Sequence, residues 1–116
     1  MTNFNELPEF QKEFKRLIKK YRTLDDDLKK FEKILMVTPT GIGKNFVIIH
    51  SSSNIKVVKA RMACRSLRDR SLRIIYTYFE QNKQVEFIEL YFKGEKENED
   101  RERIKEYLRI HNPLKK

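Results

Sequence analysis

The stretch LRIIYTYFEQNKQVEFIELYFKG, residues 72–94, decides the predicted fold of this chain. Two runs rich in Ile, Val, Tyr and Phe flank the polar residues 81–84, a pattern that is typical of a β-hairpin. Arg73 begins the first run and Lys93 ends the second. Because a hairpin reverses direction, we expect these two cations to lie near each other at one edge of the sheet. The stretch therefore predicts paired positive charge on a rigid scaffold, where a phosphate would be held.

The segment before the hairpin, residues 55–64, reads as a further strand. Alternate positions in a strand point to opposite faces, so Lys59 and Arg61 should project together. The other face is apolar and suits packing against helices; from residue 58 it carries Val58, Ala60, Met62 and Cys64. Residues 65–71 are predicted to form the turn that leads into the hairpin.

Positive charge is dense between residues 56 and 73, where Asp69 is the only acidic residue. The cations are Lys56, Lys59, Arg61, Arg65, Arg68, Arg70 and Arg73. Lys59 and Arg61 would form a patch that Arg73 and Lys93 extend across the sheet. A solvated sheet surface is the alternative interpretation. The scarcity of compensating acids favours a polyanionic partner, because such a patch otherwise repels itself.

Helical periodicity is clear on both sides of the predicted sheet. A first amphipathic helix begins near Pro8 and extends to Tyr21, and a second begins at Thr23, where Asp26 completes a capping-box-like start. The short break between them predicts an antiparallel helical hairpin with one apolar face. A last helix follows the charged residues 95–103, with Asn98 as its predicted N-cap.

Composition narrows the class of protein. The 116 residues are most simply one domain, and 26 Lys and Arg against 17 Asp and Glu give a net charge of +9. This balance favours nucleic acid as the partner. One cysteine and two histidines give neither a disulfide framework nor a zinc pattern, so no metal and no cofactor are predicted. Without an apolar segment of membrane-spanning length, we expect a cytoplasmic protein with no membrane partner.

Two features that could suggest other chemistry are weak. The loop VTPTGIGKN lacks the first glycine and the final Ser or Thr of a phosphate-binding Walker A loop, so a connector is the better interpretation. His50 and His111 have no recognisable catalytic partner in the sequence, and we expect structural or surface roles for both.

The order of two helices, KVVKARM, LRIIYTYFE, VEFIELYFKG, a charged turn and a helix resembles the RelE/ParE superfamily of bacterial toxin-antitoxin toxins. The resemblance extends from about Phe10 to Leu108. It implies an α+β fold, in which an N-terminal two-helix hairpin packs on a small twisted antiparallel sheet and a C-terminal helix follows. It also implies a toxin that cleaves messenger RNA on the ribosome and is neutralised by a cognate antitoxin protein.

The resemblance further implies a set of site residues. Lys59, Arg61 and Arg73 match the family's basic strand positions, and Lys93 falls near the basic position that ends the last strand. The family's tyrosine or His-Tyr feature has no match in GEKENEDRER. The remaining cations of the dense segment are predicted to bind RNA; these are Lys56, Arg65, Arg68 and Arg70.

The implied reaction is attack of a ribose 2′-hydroxyl on the adjacent phosphate. Arg61 and Arg73 would clamp the phosphate, since arginine stays protonated. Lys59 or Lys93 would transfer protons, because a lysine among cations can have a depressed pKa. Two alternatives stay open: a ParE-like inhibitor of DNA gyrase without nuclease activity, and a plain nucleic-acid-binding module. The sequence says nothing about oligomeric state.

Overall fold

A five-stranded sheet carries helices on both faces in a computed structural model that describes residues 2–68 and 70–111. The elements in chain order are β1 (Asn3–Glu6), α1 (Pro8–Ile18), α2 (Leu24–Val37), β2 (Phe46–Ser51), β3 (Ile55–Ala63), β4 (Ser71–Phe79), β5 (Gln84–Tyr91) and α3 (Arg101–His111). The order of the strands in the sheet is β1, β5, β4, β3, β2. The α+β class predicted from the sequence is confirmed.

The predicted hairpin is present as β4 and β5, which pair antiparallel from Phe79 and Gln84 to Arg73 and Tyr91. Its turn occupies residues 80–83, one position earlier than predicted, so Gln84 already belongs to β5. The strand ends at Tyr91, and Lys93 therefore lies in the following turn instead of ending the strand. β3 pairs antiparallel with β4 over its whole length.

Strand β1 was not predicted, and it changes the architecture in two ways. It precedes the helical hairpin, and it pairs parallel with β5, so the sheet is mixed and not purely antiparallel. The segment NFNE has a single large apolar side chain, that of Phe4, which stacks on Phe87 with ring centroids 6.0 Å apart. An edge strand needs no continuous apolar run, because it is buried on at most one side.

Two side chains take over the edge of β5 where β1 stops. Glu13 of α1 accepts a hydrogen bond from the Leu90 amide at 3.0 Å, and the Arg103 guanidinium donates to the Ile88 carbonyl at 2.7 Å. Arg103 also donates twice to the Glu13 carboxylate, at 2.9 and 3.0 Å. The pair satisfies backbone groups that would otherwise be buried without partners, and it ties α1 to α3.

The core confirms the predicted alternation of β3. Val58, Ala60, Met62 and Cys64 pack in the cluster that contains the buried residues of α1 and α2. On the other face, α3 covers Ile55, Val57, Ile75 and Ile88 with its own Ile104 and Tyr107. Because α3 covers only part of that face, the end of β3 and β4 near Arg61 is left open to one side.

The predicted helix ends need correction. α1 ends at Ile18 and not at Tyr21, although Tyr21 is buried. Thr23 does precede α2, but it forms no capping box; its hydroxyl donates to the buried carboxylate of Asp27 at 2.8 Å. Asp100, not Asn98, caps α3, since its carboxylate accepts a hydrogen bond from the Arg103 amide at 3.0 Å. A carboxylate at this position satisfies one of the unpaired amides of the first turn.

The loop of residues 38–45 is a connector, as expected. The hydroxyl of buried Tyr76 donates to the Pro39 carbonyl at 2.8 Å and fixes the loop against the sheet. Gly41 has a φ of +74°, a conformation that favours glycine. In the described part of the chain, none of the helices has the length and apolar character needed to cross a membrane.

Candidate nucleic-acid interface

The open part of the sheet carries a row of polar side chains that spans three strands. Arg61 of β3 is the direct partner of Arg73 of β4, and Arg73 is in turn the direct partner of Tyr91 of β5. Lys59 lies two residues before Arg61 and therefore projects from the same face. The register thus places three cations close together, as the alternation of the sequence predicts.

These cations line a cavity of about 290 Å³ at the edge of the uncovered face. Its wall includes all four predicted catalytic residues, Lys59, Arg61, Arg73 and Lys93. Lys44, from the loop before β2, adds a fifth cation, and Glu99 contributes a carboxylate. A concave surface with several cations is suited to hold a phosphate group.

A second concavity of about 390 Å³ lies beside the first and shares Arg61, Arg73 and Lys93 with it. Arg70 also contributes to this wall, and its guanidinium lies 5.2 Å from the centre of the Phe92 ring. Arg73 donates a hydrogen bond to the Ser71 hydroxyl at 3.2 Å. The two concavities form a continuous cationic surface through these three shared residues.

Glu99 pairs directly with Lys59. The Lys59 ammonium donates to Glu99 Oε1 at 2.8 Å, and the side chains of the two residues are 28% and 9% exposed. This hydrogen bond raises the pKa of Lys59, with burial acting in the opposite direction. Burial acts to raise the pKa of the Glu99 carboxyl, but the hydrogen bond from Lys59 outweighs it and the pKa is lowered. Both groups are therefore charged at neutral pH.

The predicted depression of the lysine pKa is wrong for Lys59. The prediction counted only the neighbouring cations, which favour the neutral amine. It missed the carboxylate of Glu99, which lies 40 positions later in the chain and favours the ammonium form. Lys59 therefore stays protonated at neutral pH.

Tyr91 lies next to the Lys59 ammonium. Tyr91 is 2% exposed, and its buried hydroxyl has the Lys59 ammonium as a hydrogen-bonding neighbour. Burial raises the pKa of the Tyr91 hydroxyl, while the nearby charge of Lys59 acts to lower it. The lysine thus satisfies a hydroxyl that would be costly to bury alone.

The other predicted RNA-binding residues are distributed more widely. Lys56 projects from the helix-facing side of β3 and pairs with Glu80 at 3.4 Å, away from the cavity. Arg65 pairs with Asp26 at 3.3 Å and with Asp27 at 3.6 Å at the start of α2. Arg68 is exposed in the turn before β4. Of the four, only Arg70 lines the cationic surface next to Arg61 and Arg73.

The histidines and possible metal ligands do not add to this site. His111 lies at the end of α3, with its ring 4.2 Å from that of Tyr107 and 5.7 Å from that of Phe79. These contacts agree with the structural role expected for it. Within residues 2–68 and 70–111, no group of three or more His, Cys, Asp and Glu side chains is arranged to hold a metal ion.

Sequence reasoning missed three residues of the site: Lys44, Tyr91 and Glu99. Lys44 and Glu99 lie in loops, and no periodic pattern indicates where a loop side chain points. Tyr91 could have been found, because it is close to Lys93 in the same predicted strand as the edge cations. Tyr91 and Arg73 are direct partners in the hairpin, so the hairpin register would have placed both side chains on one face.

Comparison with solved structures gives a clear likeness. No model of a protein family matches the sequence, and no curated protein gives a significant match. Among solved structures, a chain of the archaeal RelE-RelB complex from Pyrococcus horikoshii OT3 is similar, with 19% sequence identity and a TM-score of 0.61. The similarity covers 80% of this chain and 96% of that chain. The resemblance read from the sequence is thereby supported in three dimensions, and this chain has the RelE fold.

Proposed function

We propose that this protein is the toxin of a type II toxin-antitoxin system and that it cleaves messenger RNA on the ribosome without a metal ion. One observation carries the proposal: Lys59, Arg61, Arg73 and Lys93 line a single cavity on a RelE fold. Cations that served only to keep the protein soluble would not need to converge on one concave site.

The reaction is the one that the resemblance to RelE implies, and the charges in the cavity suit it. The 2′-oxygen attacks the adjacent phosphorus and passes its proton to solvent water, a cyclic phosphate forms, and the bond from phosphorus to the 5′-oxygen breaks. Arg61 and Arg73 contact the phosphate oxygens and stabilise the negative charge that grows on them. The Lys59 ammonium gives a proton to the departing 5′-oxygen and later regains one from water. Lys93 and Arg70 bind flanking phosphates.

A protein partner is supported by exposed apolar side chains along the β2 edge of the sheet. Five aliphatic side chains at the end of α2, in the following loop and on β2 are each at least 47% exposed: Ile34, Val37, Ile42, Val47 and Ile48. β2 is an edge strand, and an apolar edge strand is an aggregation hazard when nothing covers it. We propose that the antitoxin covers this surface.

Induced expression followed by mapping of messenger RNA 5′ ends tests the function. New cuts within translated messages, in phase with codons, are the expected result. Damaged DNA with intact messages would support inhibition of gyrase instead. A chain that shows no toxicity and only salt-sensitive RNA binding would be a plain nucleic-acid-binding module.

The same experiment on variants tests the site. Arg61→Ala and Arg73→Ala should each abolish most of the new cuts, whereas Lys105→Ala, an exposed lysine of α3, should leave them unchanged. If both arginine variants cut messages at the wild-type rate, the cavity is not the site of cleavage.

A further inference from the structure

We propose that Glu99 is a positioning residue of the cationic cavity: its carboxylate fixes the Lys59 ammonium at the wall where a substrate phosphate enters. This inference deepens the proposed function and rests on it for the cleavage reaction. The geometry behind it is independent of any substrate.

The backbone of Glu99 is held in place by its neighbours, so its side chain approaches Lys59 from a fixed position. The next residue, Asp100, donates its amide to Glu89 at 2.9 Å, and its carboxylate caps α3. The Glu89 side chain is fully buried and also pairs with Lys96. The backbone at residue 99 is thus anchored to β5 on one side and to α3 on the other, so its side chain approaches β3 along a defined path.

The pair leaves Lys59 free to contact a substrate. An ammonium group has three hydrogens, and the bond to Glu99 Oε1 uses one of them. The Tyr91 hydroxyl is a second neighbour of the ammonium group. The Lys59 side chain is 28% exposed and lines the cavity, so at least one hydrogen is available to a phosphate oxygen. Without Glu99, the four-carbon stem of lysine would let the ammonium rotate among many positions.

Charged and titratable groups surround Lys59 on every element that packs near it. They are Arg61 on β3, Arg73 on β4, Tyr91 on β5, Lys44 before β2, Lys93 after β5 and Arg101 on α3. Most are cations that repel the ammonium, and the Tyr91 hydroxyl is neutral at ordinary pH. Glu99 is the one carboxylate on the described wall of this cavity, so it is the group that opposes the repulsion.

This arrangement predicts a combination of effects that a purely structural residue would not give. The Glu99 carboxylate is a negative charge inside an RNA-binding cavity, so it weakens RNA binding even as it orients Lys59. Replacing it should lower KM, because one repulsive charge is removed. It should also lower kcat, because the proton donor is no longer held in position.

The experiment compares Glu99→Gln and Glu99→Ala with the wild-type protein on ribosome-bound messenger RNA. Glu97→Gln is the matched control, since it removes the same charge from an exposed site two residues away. We expect kcat to be lower in Glu99→Gln than in the wild type and lowest in Glu99→Ala, where it should fall by roughly ten- to hundredfold. KM should fall in both variants. Wild-type kcat in both variants, or a rise in KM together with a lower Tm, would overturn the inference.

A spectroscopic measurement separates this inference from the proposed function. The ¹⁵N signal of the Lys59 side chain, assigned with Lys59→Arg, is followed against pH in the wild type and in Glu99→Gln. The Lys59 pKa should fall in the variant and stay unchanged in Glu97→Gln. If the wild type cleaves no messages, the proposed function fails, and this titration with the binding of a short single-stranded RNA still decides the role of Glu99. An unmoved Lys59 titration would refute it.

Discussion

Arg61 and Arg73 face each other as direct partners across β3 and β4, although both side chains carry a positive charge. Like charges at directly opposed positions of a sheet are destabilising. Such a pair is retained most readily where a negatively charged ligand completes it. The relationship between these two residues is therefore the starting point for testing the site.

Arg61→Ala should separate stability from function. Removing one of two opposed cations relieves repulsion, so the free energy of unfolding should stay equal or rise by about 0.5 kcal/mol. RNA binding should weaken at the same time. Urea unfolding and titration with a short single-stranded RNA measure the two quantities. A loss of more than about 1 kcal/mol would mean that Arg61 stabilises the fold, contrary to this interpretation.

The salt dependence of RNA binding should distinguish the two faces of β3. Arg73→Ala removes a phosphate contact from the cavity, so the slope of log K against log salt should fall by about 1. Lys56→Ala should leave the slope unchanged, because Lys56 projects from the opposite face and pairs with Glu80. Equal slopes for these two variants would show that RNA does not bind in the cavity.

The pair of Lys59 and Glu99 should stabilise the protein over a defined pH range. The lowered pKa of Glu99 means that its contribution is complete above its ordinary value of 4.5 and is lost as pH falls through the lowered value. The raised pKa of Lys59 means that its contribution is complete below 10.5 and is lost as pH rises through the raised value. Between these limits, Glu99→Gln should cost on the order of 1 kcal/mol.

Thermal unfolding of the wild type and Glu99→Gln at several pH values measures this difference. The gap in Tm should be widest near neutral pH and should close in strong acid. A gap that is constant with pH would mean that the effect of the substitution is steric and not due to charge.

The contact between Glu13 and Arg103 should be among the strongest polar contributions to stability. Arg103→Met leaves the Glu13 carboxylate without its partner in a half-buried position and also removes the donor to the Ile88 carbonyl. We expect a loss of about 3 kcal/mol. A double-mutant cycle with Glu13→Gln, followed by urea unfolding, gives the coupling energy. Additive losses in this cycle would contradict the proposed link between α1 and α3.

Gly41→Ala should destabilise the fold more than Gly43→Ala. Both glycines have positive φ, so both substitutions introduce backbone strain of about 1–2 kcal/mol. At Gly41, a Cβ would also lie 2.0 Å from Cγ of Phe46, whereas at Gly43 it would meet nothing within 4 Å. Calorimetry of the two variants separates strain from collision. Equal losses would show that the Phe46 ring moves aside without cost.

The central sheet could be predicted because its strands carry strong local signals. β-branched and aromatic residues recur with a period of two in β3, β4 and β5, and this pattern predicts the strands. β1 could not be predicted in this way. Its four residues include one large apolar side chain, and its place is set by the edge that β5 offers.

In the site, too, contacts set by neighbouring strands could be predicted from the sequence, whereas contacts between distant segments could not. The register that opposes Arg61 and Arg73 follows from a regular hairpin, so their proximity was foreseen. The pairing of Lys59 with Glu99 depends on how the charged segment after β5 folds back over the sheet. A run such as EKENEDRER has no period from which the direction of one carboxylate could be derived.

The parallel pairing of β1 with β5 also constrains the order in which the strands fold during synthesis. Residues 3–6 are synthesised about 80 residues before their partners, residues 84–87. Contacts between residues so far apart in the chain form late, because closing the long loop between them costs conformational entropy. Structure that has already formed shortens this loop and lowers the cost. We therefore expect the N-terminal strand to dock as a late step, after β3, β4 and β5 have assembled. A nascent chain stalled before residue 84 should leave residues 3–6 open to proteases.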